Sequence, residues 1–563
     1  MSFFRLSPVV QYRAVVIIAL FFATSAFCGA RPPATDSVRT APEIVFPAGA
    51  RVIDVTQPPY NAKGDGIHDD TEAINAAMRD HCGVEGGNWT YYFMSSTLYF
   101  PEGTYLVSDT LQARMLNSRK TGGALRLAGQ NRERTVIRLK DHTPGFDDPE
   151  NPRNLLRMSP CGKQPNSAYG NYVQHLTVDV GSGNPGAVGV RFDVANSGAM
   201  ENVRILAPQG SGRHGLAFRG TCGLGYVRDV TVEGFDIGVY FDAASVNNIG
   251  LERLTVLGQR ECGIYNTAKN IAVLDLVSRN NGPAVHTVDS AAVCFLVNAD
   301  LKGDGSGPAI QMDSSAFLYL RDVKTSGYEG VIQCAGTLGN ELPSGHSVDE
   351  WGSFDAPFME GKSMHSLRLP IRQTPTWYST NLNEWVSVTD FGATPDDDSD
   401  DDAPAIQRAI DSGKEVVFFP RGRYAIKSDV IIRGAVRKVD CFYSLIEAPE
   451  GSEAEFIIGN TEHPVVWMEN FVLLVPVCHN SASTVVLRNF SSNHKKIYTG
   501  DAASGDLFVE NAGPHVTVEV GNGIHAWLRA VNREKSGMLN DGSVVWSFAD
   551  NIESMKRRNG AKY

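Results

Sequence analysis

The sequence has 563 residues, 51 basic and 63 acidic side chains, a formal charge of -12 and 42% apolar residues. This length exceeds what one compact core supports, so the chain is either two domains or one elongated repetitive body. An acidic balance without a basic stripe excludes nucleic acid as a partner.

Residues 1–30 read as an export signal. Arg5 and Arg13 form its charged start, AVVIIALFFATSAFCGA its short apolar core, and small residues allow cleavage after Ala26 or Ala30. The protein is therefore expected to be exported, to an extracellular or periplasmic space. Phe27 makes Cys28 a poor site for lipid attachment. No later segment has the roughly 18 consecutive apolar residues that a membrane span requires. Cys82, Cys161, Cys222, Cys262, Cys294, Cys334, Cys441 and Cys478 follow at wide separations without a CxxC pair. They predict neither a metal site nor another cofactor, and an exported setting permits disulfides without selecting a pairing.

The chain echoes itself. VIDVTQPPYNAKGDGIHDDTEAINAAM, near Arg51, returns as a TDFGA opening with an acid-rich turn and APAIQRAI near Trp385. LYFPEGTYLVSDTL at residues 98–111 likewise returns as VFFPRGRYAIKSDV at residues 417–430. In each copy an acidic turn precedes an amphipathic helix, with Asp70, Ile74 and Ala77 in the first and Asp402, Ile406 and Ala409 in the second. The acids are expected to serve the helix starts by accepting orphan N–H groups. Calcium is the weaker reading, because GDGIHDD lacks the spacing of an EF-hand loop.

Between these openings run short Val- and Ile-rich phrases, each ended by Gly, Asn, Asp or Ser, which favours strands over helices. Val190, Leu216, Val239, Ile264, Val285 and Ile310 mark successive phrases at intervals of 26, 23, 25, 21 and 25 residues. That period suits a solenoid turn of several strands, whose stacked copies share one interior ladder. Similar phrases continue through VVWMENFVLLV, TVVLRNFSSN and DLFVENAG, with Trp467 and Trp527 expected in the interior. The predicted fold is all-β, two tandem right-handed parallel β-helices with short N-terminal capping helices. Its expected divisions are an export signal at 1–30, a first module at 31–340, a Pro-, Ser- and Gly-rich connector at 341–384 and a second, shortened module at 385–563.

A β-helix scaffold does not dictate an activity. Two acids near the end of the chain are the chemical candidates: Glu534 and Glu553 each follow an apolar or aromatic run, in WLRAVNRE and WSFADNIE. Glycosidic cleavage needs a protonated acid at the leaving oxygen and a second carboxylate that acts as nucleophile or holds water. The duplicated openings, the FPxGxY phrases and LPIRQTP at residues 369–375, together with these two terminal phrases, resemble the tandem β-helix exo-β-1,3-glucanases of glycoside hydrolase family 55, within the pectate-lyase-like superfamily. The resemblance spans most of residues 48–555. It implies an inverting hydrolase that releases terminal sugar units from a polysaccharide or oligosaccharide. Glu553 would be the general acid and Glu534 would hold the attacking water. It also implies that Asn196 and Thr221 help to place that water, with Asp193, Ser197 and Cys222 close by in the same phrases, and that Arg529 is the motif arginine. The chain departs from the family pattern at Ala530, where a glutamine is usual, and at Ala549, Asn551 and Ile552, where glycine, lysine and threonine are usual.

Two other readings use the same scaffold. A polysaccharide lyase acting on a uronate-containing glycan requires a base and a cationic group at the substrate carboxylate; Arg260 and His286 are the nearest candidates, although His286 alone reads as a satisfied polar residue on a rung. A non-catalytic glycan-binding or surface-assembly protein would need only the long face and its aromatic residues.

Overall fold

The computed structural model describes residues 42–550 except 83–94, 114–123, 159–167, 220–222, 243–244, 306, 355–365, 367, 398–400, 493–495, 502, 514–515, 522, 534–537 and 541–542. Two parallel β-helices stand side by side, as expected. An 18-stranded and a nine-stranded sheet wall the first, and a nine-stranded and a six-stranded sheet wall the second. Strands on successive turns pair in parallel. The strand Ser347–Gly352 instead runs antiparallel to Phe317–Ser326 at the end of the first stack.

The residues that mark the sequence phrases form a single ladder. Val190 pairs with Leu216, then Val239, Ile264, Val285 and Ile310 follow in register, and all six are fully buried. In the second β-helix Val439, Met468, Leu487, Val509 and Leu528 do the same. Each turn leaves its apolar edge open to the next, so the core is one continuous column per module.

The repeated openings build the same structure twice. Tyr105 donates its hydroxyl to the Pro101 carbonyl at 2.9 Å, and Tyr424 donates to that of Pro420 at 2.7 Å. Phe100 meets Tyr105 edge-on at 5.3 Å, and Phe419 meets Tyr424 at 5.2 Å. The glycine of each FPxGxY phrase permits a close approach: a Cβ on Gly103 would lie 2.5 Å from the Gly64 carbonyl oxygen, and one on Gly422 would lie 2.5 Å from Pro395. The helices Thr71–His81 and Ala403–Ile410 bury Ile74, Ala77 and Met78, and Ala405, Ile406, Ala409 and Ile410.

Asp69 and Asp401 accept from the first helical N–H groups, those of Thr71 and Ala403, both at 3.1 Å, as expected, but Asp70 and Asp402 act differently. Neither Asp70 nor Asp402 caps its helix through its side chain. Asp70 accepts from the backbone N–H groups of Lys63 and Gly64, at 2.6 and 2.9 Å. Asp402 accepts from those of Thr394 and Ala425, at 2.8 and 3.0 Å. The Asp70 carboxylate thus ties the opening turn to the helix start, and that of Asp402 also reaches the strand Arg423–Ala425. Among the described residues no cluster of three or more His, Cys, Asp or Glu side chains is arranged to hold a metal.

Trp467 and Trp527 are buried, but outside the solenoid interior. Their strand neighbours Met468 and Leu528 point inward, so alternation turns both indoles to the outer face. There the connector covers them: Trp467 donates its indole N–H to the Pro375 carbonyl and Trp527 to that of Pro370, both at 3.0 Å. Cys82 is disulfide-bonded, whereas Cys262, Cys294, Cys334, Cys441 and Cys478 are free.

Candidate active site

The two β-helices meet along one face of each, and that face is charged. On the first, Glu201, Arg228 and Glu252 stack in register as outward residues of successive rungs. On the second, Asp440, Glu469, Arg488, Glu510, Arg529 and Phe548 do so. The ladders interlock. Arg228 donates to both oxygens of Glu510, at 2.9 and 2.7 Å, and also pairs with Glu201 on its own sheet. Arg488 reaches Glu201 at 2.5 Å and Glu469 at 3.1 Å, and Arg529 reaches Glu252 at 2.8 Å. Lys438 closes the series between Asp440 and Glu469, at 3.0 and 2.8 Å.

Buried charges are costly unless they are paired and hydrogen-bonded. Here each has more than one partner. Burial opposes ionisation of Glu201, but Arg228 and Arg488 outweigh it and hold the carboxyl well below the usual range. Burial likewise opposes ionisation of Glu252, yet Arg529 and Arg253 bring it down to about 2. His175, packed edge-on against Tyr378 at this seam, is kept neutral by burial, its pKa lowered to about 4.

Except at Asp440, each of these rung residues is followed by one in the left-handed region. In the second module these are Asn470, Asn489, Asn511, Ala530 and Ala549, with φ of 59, 52, 49, 50 and 55°. Asparagine tolerates this conformation and here forms a ladder: Asn511 donates to Asn489 at 3.0 Å and Asn489 to Asn470 at 3.4 Å. Ala549 stands where the resembled family has glycine, the residue that adopts this φ without strain.

One edge of the seam gathers several of the expected site residues. Asn196 lies in a bulge between Ala195 and Gly198, itself at φ 59°. Its carbonyl oxygen is so near Gly513 that a Cβ there would sit 2.3 Å from it and 2.9 Å from the Cβ of Asn532. Gly198 donates its N–H to Asn511 at 2.9 Å, and Asn511 donates to the Tyr172 hydroxyl, also at 2.9 Å. Ser197 and Ser491 place buried hydroxyls at this polar edge without a partner among the described residues. Asp193 accepts from Arg191 at 3.0 Å.

Thr221, Cys222, Glu534 and Glu553 lie outside the described residues. The strands leading to the two acids are described, and they are neighbours: His525–Val531 pairs with Val544–Phe548, with Trp527 opposite Trp546 and Arg529 opposite Phe548. Glu534 and Glu553 stand at the same offset beyond that last pair. Arg533, immediately before Glu534, donates to Asp550 at 3.0 Å. Arg529 is fully buried between Glu252, the Arg372 carbonyl and the Trp546 ring, which its guanidinium overlies at 4.9 Å.

The lyase candidates do not face the seam chemistry. His286 engages Asp313 at 2.8 Å, and Arg260 engages Asp236 and the carbonyls of Gly234, Ser211 and Gly212. A crevice of about 610 Å³, solvent mouth included, opens along the seam, lined among others by Phe46, His175, Glu201, Trp385, Lys438 and Arg488. The seam ladders had a sequence signature: a charged residue followed by Asn, Asp, Arg or Ala recurs in MEN, LRN, VEN and LRA, and in MEN, VRD and LER of the first module.

The family described as rhamnogalacturonase A/epimerase, pectate lyase-like, matches residues 54–286 and 385–437, together just over half of the chain. Among curated relatives, the glucan 1,3-beta-glucosidase of Cochliobolus carbonum is 21% identical over 468 residues, covering 72% of this chain and 54% of that protein. The non-secreted LysM effector LysM15 of Penicillium expansum is 24% identical over 426 residues, covering 66% of this chain and 28% of the effector. The matches thus take in about half or less of those relatives' own length. Among solved structures, the pre-mature bacteriophage phi29 gene product 12 aligns over 91% of this chain and 57% of its own, with 14% identity and a TM-score of 0.31. The match covers most of the first column and both opening segments, and the chain belongs to the rhamnogalacturonase A/epimerase, pectate lyase-like family.

Proposed function

We propose that this chain is the β-helical body of an exported carbohydrate-active enzyme, a glycoside hydrolase that releases terminal sugar units from β-1,3-linked glucan with inversion. Glu553 protonates the leaving oxygen, Glu534 holds the attacking water, and Asn196 and Thr221 help to place that water. The observation that carries this reading is the register of the last two rungs, which puts the approaches to both acids on adjacent strands at the edge of the seam where Asn196 meets Gly513. The likeness to a glucan 1,3-beta-glucosidase supports the substrate class. The leading 30 residues and the disulfide at Cys82 support export.

Inversion requires room for water between the acids, with carboxyl groups roughly 6.5–9.5 Å apart. The test is hydrolysis of a β-1,3-glucan by the wild type and by Glu553→Gln and Glu534→Gln, each verified as folded by circular dichroism. Both variants should lose at least about 100-fold in kcat, and the sugar first released by the wild type should be the α-anomer by NMR. Full activity of Glu553→Gln, or initial release of the β-anomer, would remove the proposed mechanism.

A further inference from the structure

Asp550 is a point at which three parts of the molecule are tied together. One carboxylate oxygen accepts from the backbone N–H of Val531 at 2.9 Å. The other accepts from the Arg533 guanidinium at 3.0 Å and from the Ser547 hydroxyl at 2.6 Å. The main-chain carbonyl of Asp550 accepts from the side-chain amide of Asn248, in the first β-helix, at 2.8 Å. The carboxylate therefore joins the end of one rung to the end of the next, and the carbonyl joins both to the other module.

The surroundings make this tie tight. The Arg533 and Asp550 side chains are 6% and 4% exposed. Asn248 ends a bulge in its strand, and two residues on, a Cβ at Gly250 would stand 2.8 Å from the Ala549 methyl and 3.2 Å from the Phe548 ring. Residues 248–250 thus abut residues 548–550 with no spare space. Two oxygens meet three donors, so an amide at position 550 cannot replace the carboxylate without turning an N–H₂ towards one of them. Burial penalises the charged form and moves the carboxyl upward, while Arg533, Ser547 and the Val531 amide work against that penalty.

We infer that Asn248 and Asp550 form a clamp that fixes the segment after Val531 and the segment after Phe548 to each other and to the first β-helix. In the sequence these segments lead directly to Glu534 and Glu553, so under the hydrolase reading the clamp anchors the approaches to both acids. The catalytic meaning of the clamp rests on the hydrolase reading; its existence as a mechanical tie does not. Asn248 and Asp550 are positioning residues. A water-displacement reaction tolerates little error in the spacing of its two carboxyl groups, so loosening the clamp lowers turnover without abolishing substrate binding.

The test compares the full chain with Asn248→Ala and Asp550→Asn. Asn248→Ala removes one hydrogen bond at a partly exposed residue and keeps the fold, so it remains informative where Asp550→Asn does not fold. On β-1,3-glucan, kcat should fall about 10-fold in Asn248→Ala and about 100-fold in Asp550→Asn, with KM within about threefold of wild type. Hydrogen exchange provides a readout that needs no activity: amides of residues 531–533 and 544–550 should exchange faster in both variants. Folded variants with unchanged exchange there and kcat within about twofold of wild type would overturn the clamp. A wild type without glucanase activity would instead remove the hydrolase reading, and the exchange data alone would then decide whether the clamp stands.

Discussion

Arg228→Met tests whether the charged seam holds the two β-helices together. The Arg228 side chain is 1% exposed and bridges Glu201 of its own module to Glu510 of the other. Removing one partner of a buried pair costs about 3–5 kcal/mol, because the charge left behind is neither solvated nor compensated. Arg488 still reaches Glu201 at 2.5 Å and Glu510 at 3.1 Å, which places the expected loss near the lower end, about 3 kcal/mol. The loss should depend on pH in a defined direction. In the wild type the Glu201 carboxyl is held below its ordinary value, so its contribution is present above the unfolded pKa and is lost as pH falls through the folded one. Without Arg228, burial pushes that carboxyl back up. The gap between wild type and variant is therefore widest at neutral pH and narrows as the variant's Glu201 protonates. Guanidinium unfolding at pH 7 and pH 4, followed by the fluorescence of Trp467 and Trp527 beside the seam, measures it. A cycle with Glu510→Gln should show the double variant losing less than the sum of the singles by at least about 1.5 kcal/mol. A loss below about 1 kcal/mol at pH 7 with an unchanged denaturant slope would refute a supporting role for these pairs.

Gly513→Val should push Asn196 away from the edge that carries the proposed chemistry, costing about 1–3 kcal/mol and lowering glucan turnover; unchanged kcat in a folded variant would separate that edge from the reaction. Tyr105→Phe and Tyr424→Phe remove equivalent hydroxyls and should each cost about 1 kcal/mol in denaturant titrations, similar for the two modules. Asn489→Ala breaks the middle of the asparagine ladder and vacates a left-handed position, with an expected loss of about 2 kcal/mol. His175 and His479, both lowered to about 4, stay neutral in the fold while the unfolded chain takes up protons, so stability should decline as pH falls from their ordinary value of 6.5 towards 4. Melting temperatures that stay flat across that window would contradict their burial as neutral rings.

The columns were legible in the sequence. Val190, Leu216, Val239, Ile264, Val285 and Ile310 were identified by their recurrence and form one ladder in register. FPEGTY and FPRGRY likewise build the same Phe, Pro and Tyr contacts. In a solenoid each turn packs mainly on the next, so a contact in space becomes a fixed interval along the chain, and periodicity alone reports it. Other features lacked such an interval. Trp467 and Trp527 looked like interior residues because only the position of the connector reveals that their outer face is covered. Asp70 and Asp402 looked like helix caps because the turns that claim their oxygens are fixed by packing against the first rung. Even the charged ladders, visible as MEN, LRN, VEN and LRA, did not say what they faced. The sequence by itself determined two columns and the rungs within them. That Arg488 meets Glu201, Arg529 meets Glu252 and Asp550 meets Asn248 was decided only by the docking of two rigid bodies, whose contacts join residues hundreds of positions apart and follow no repeat.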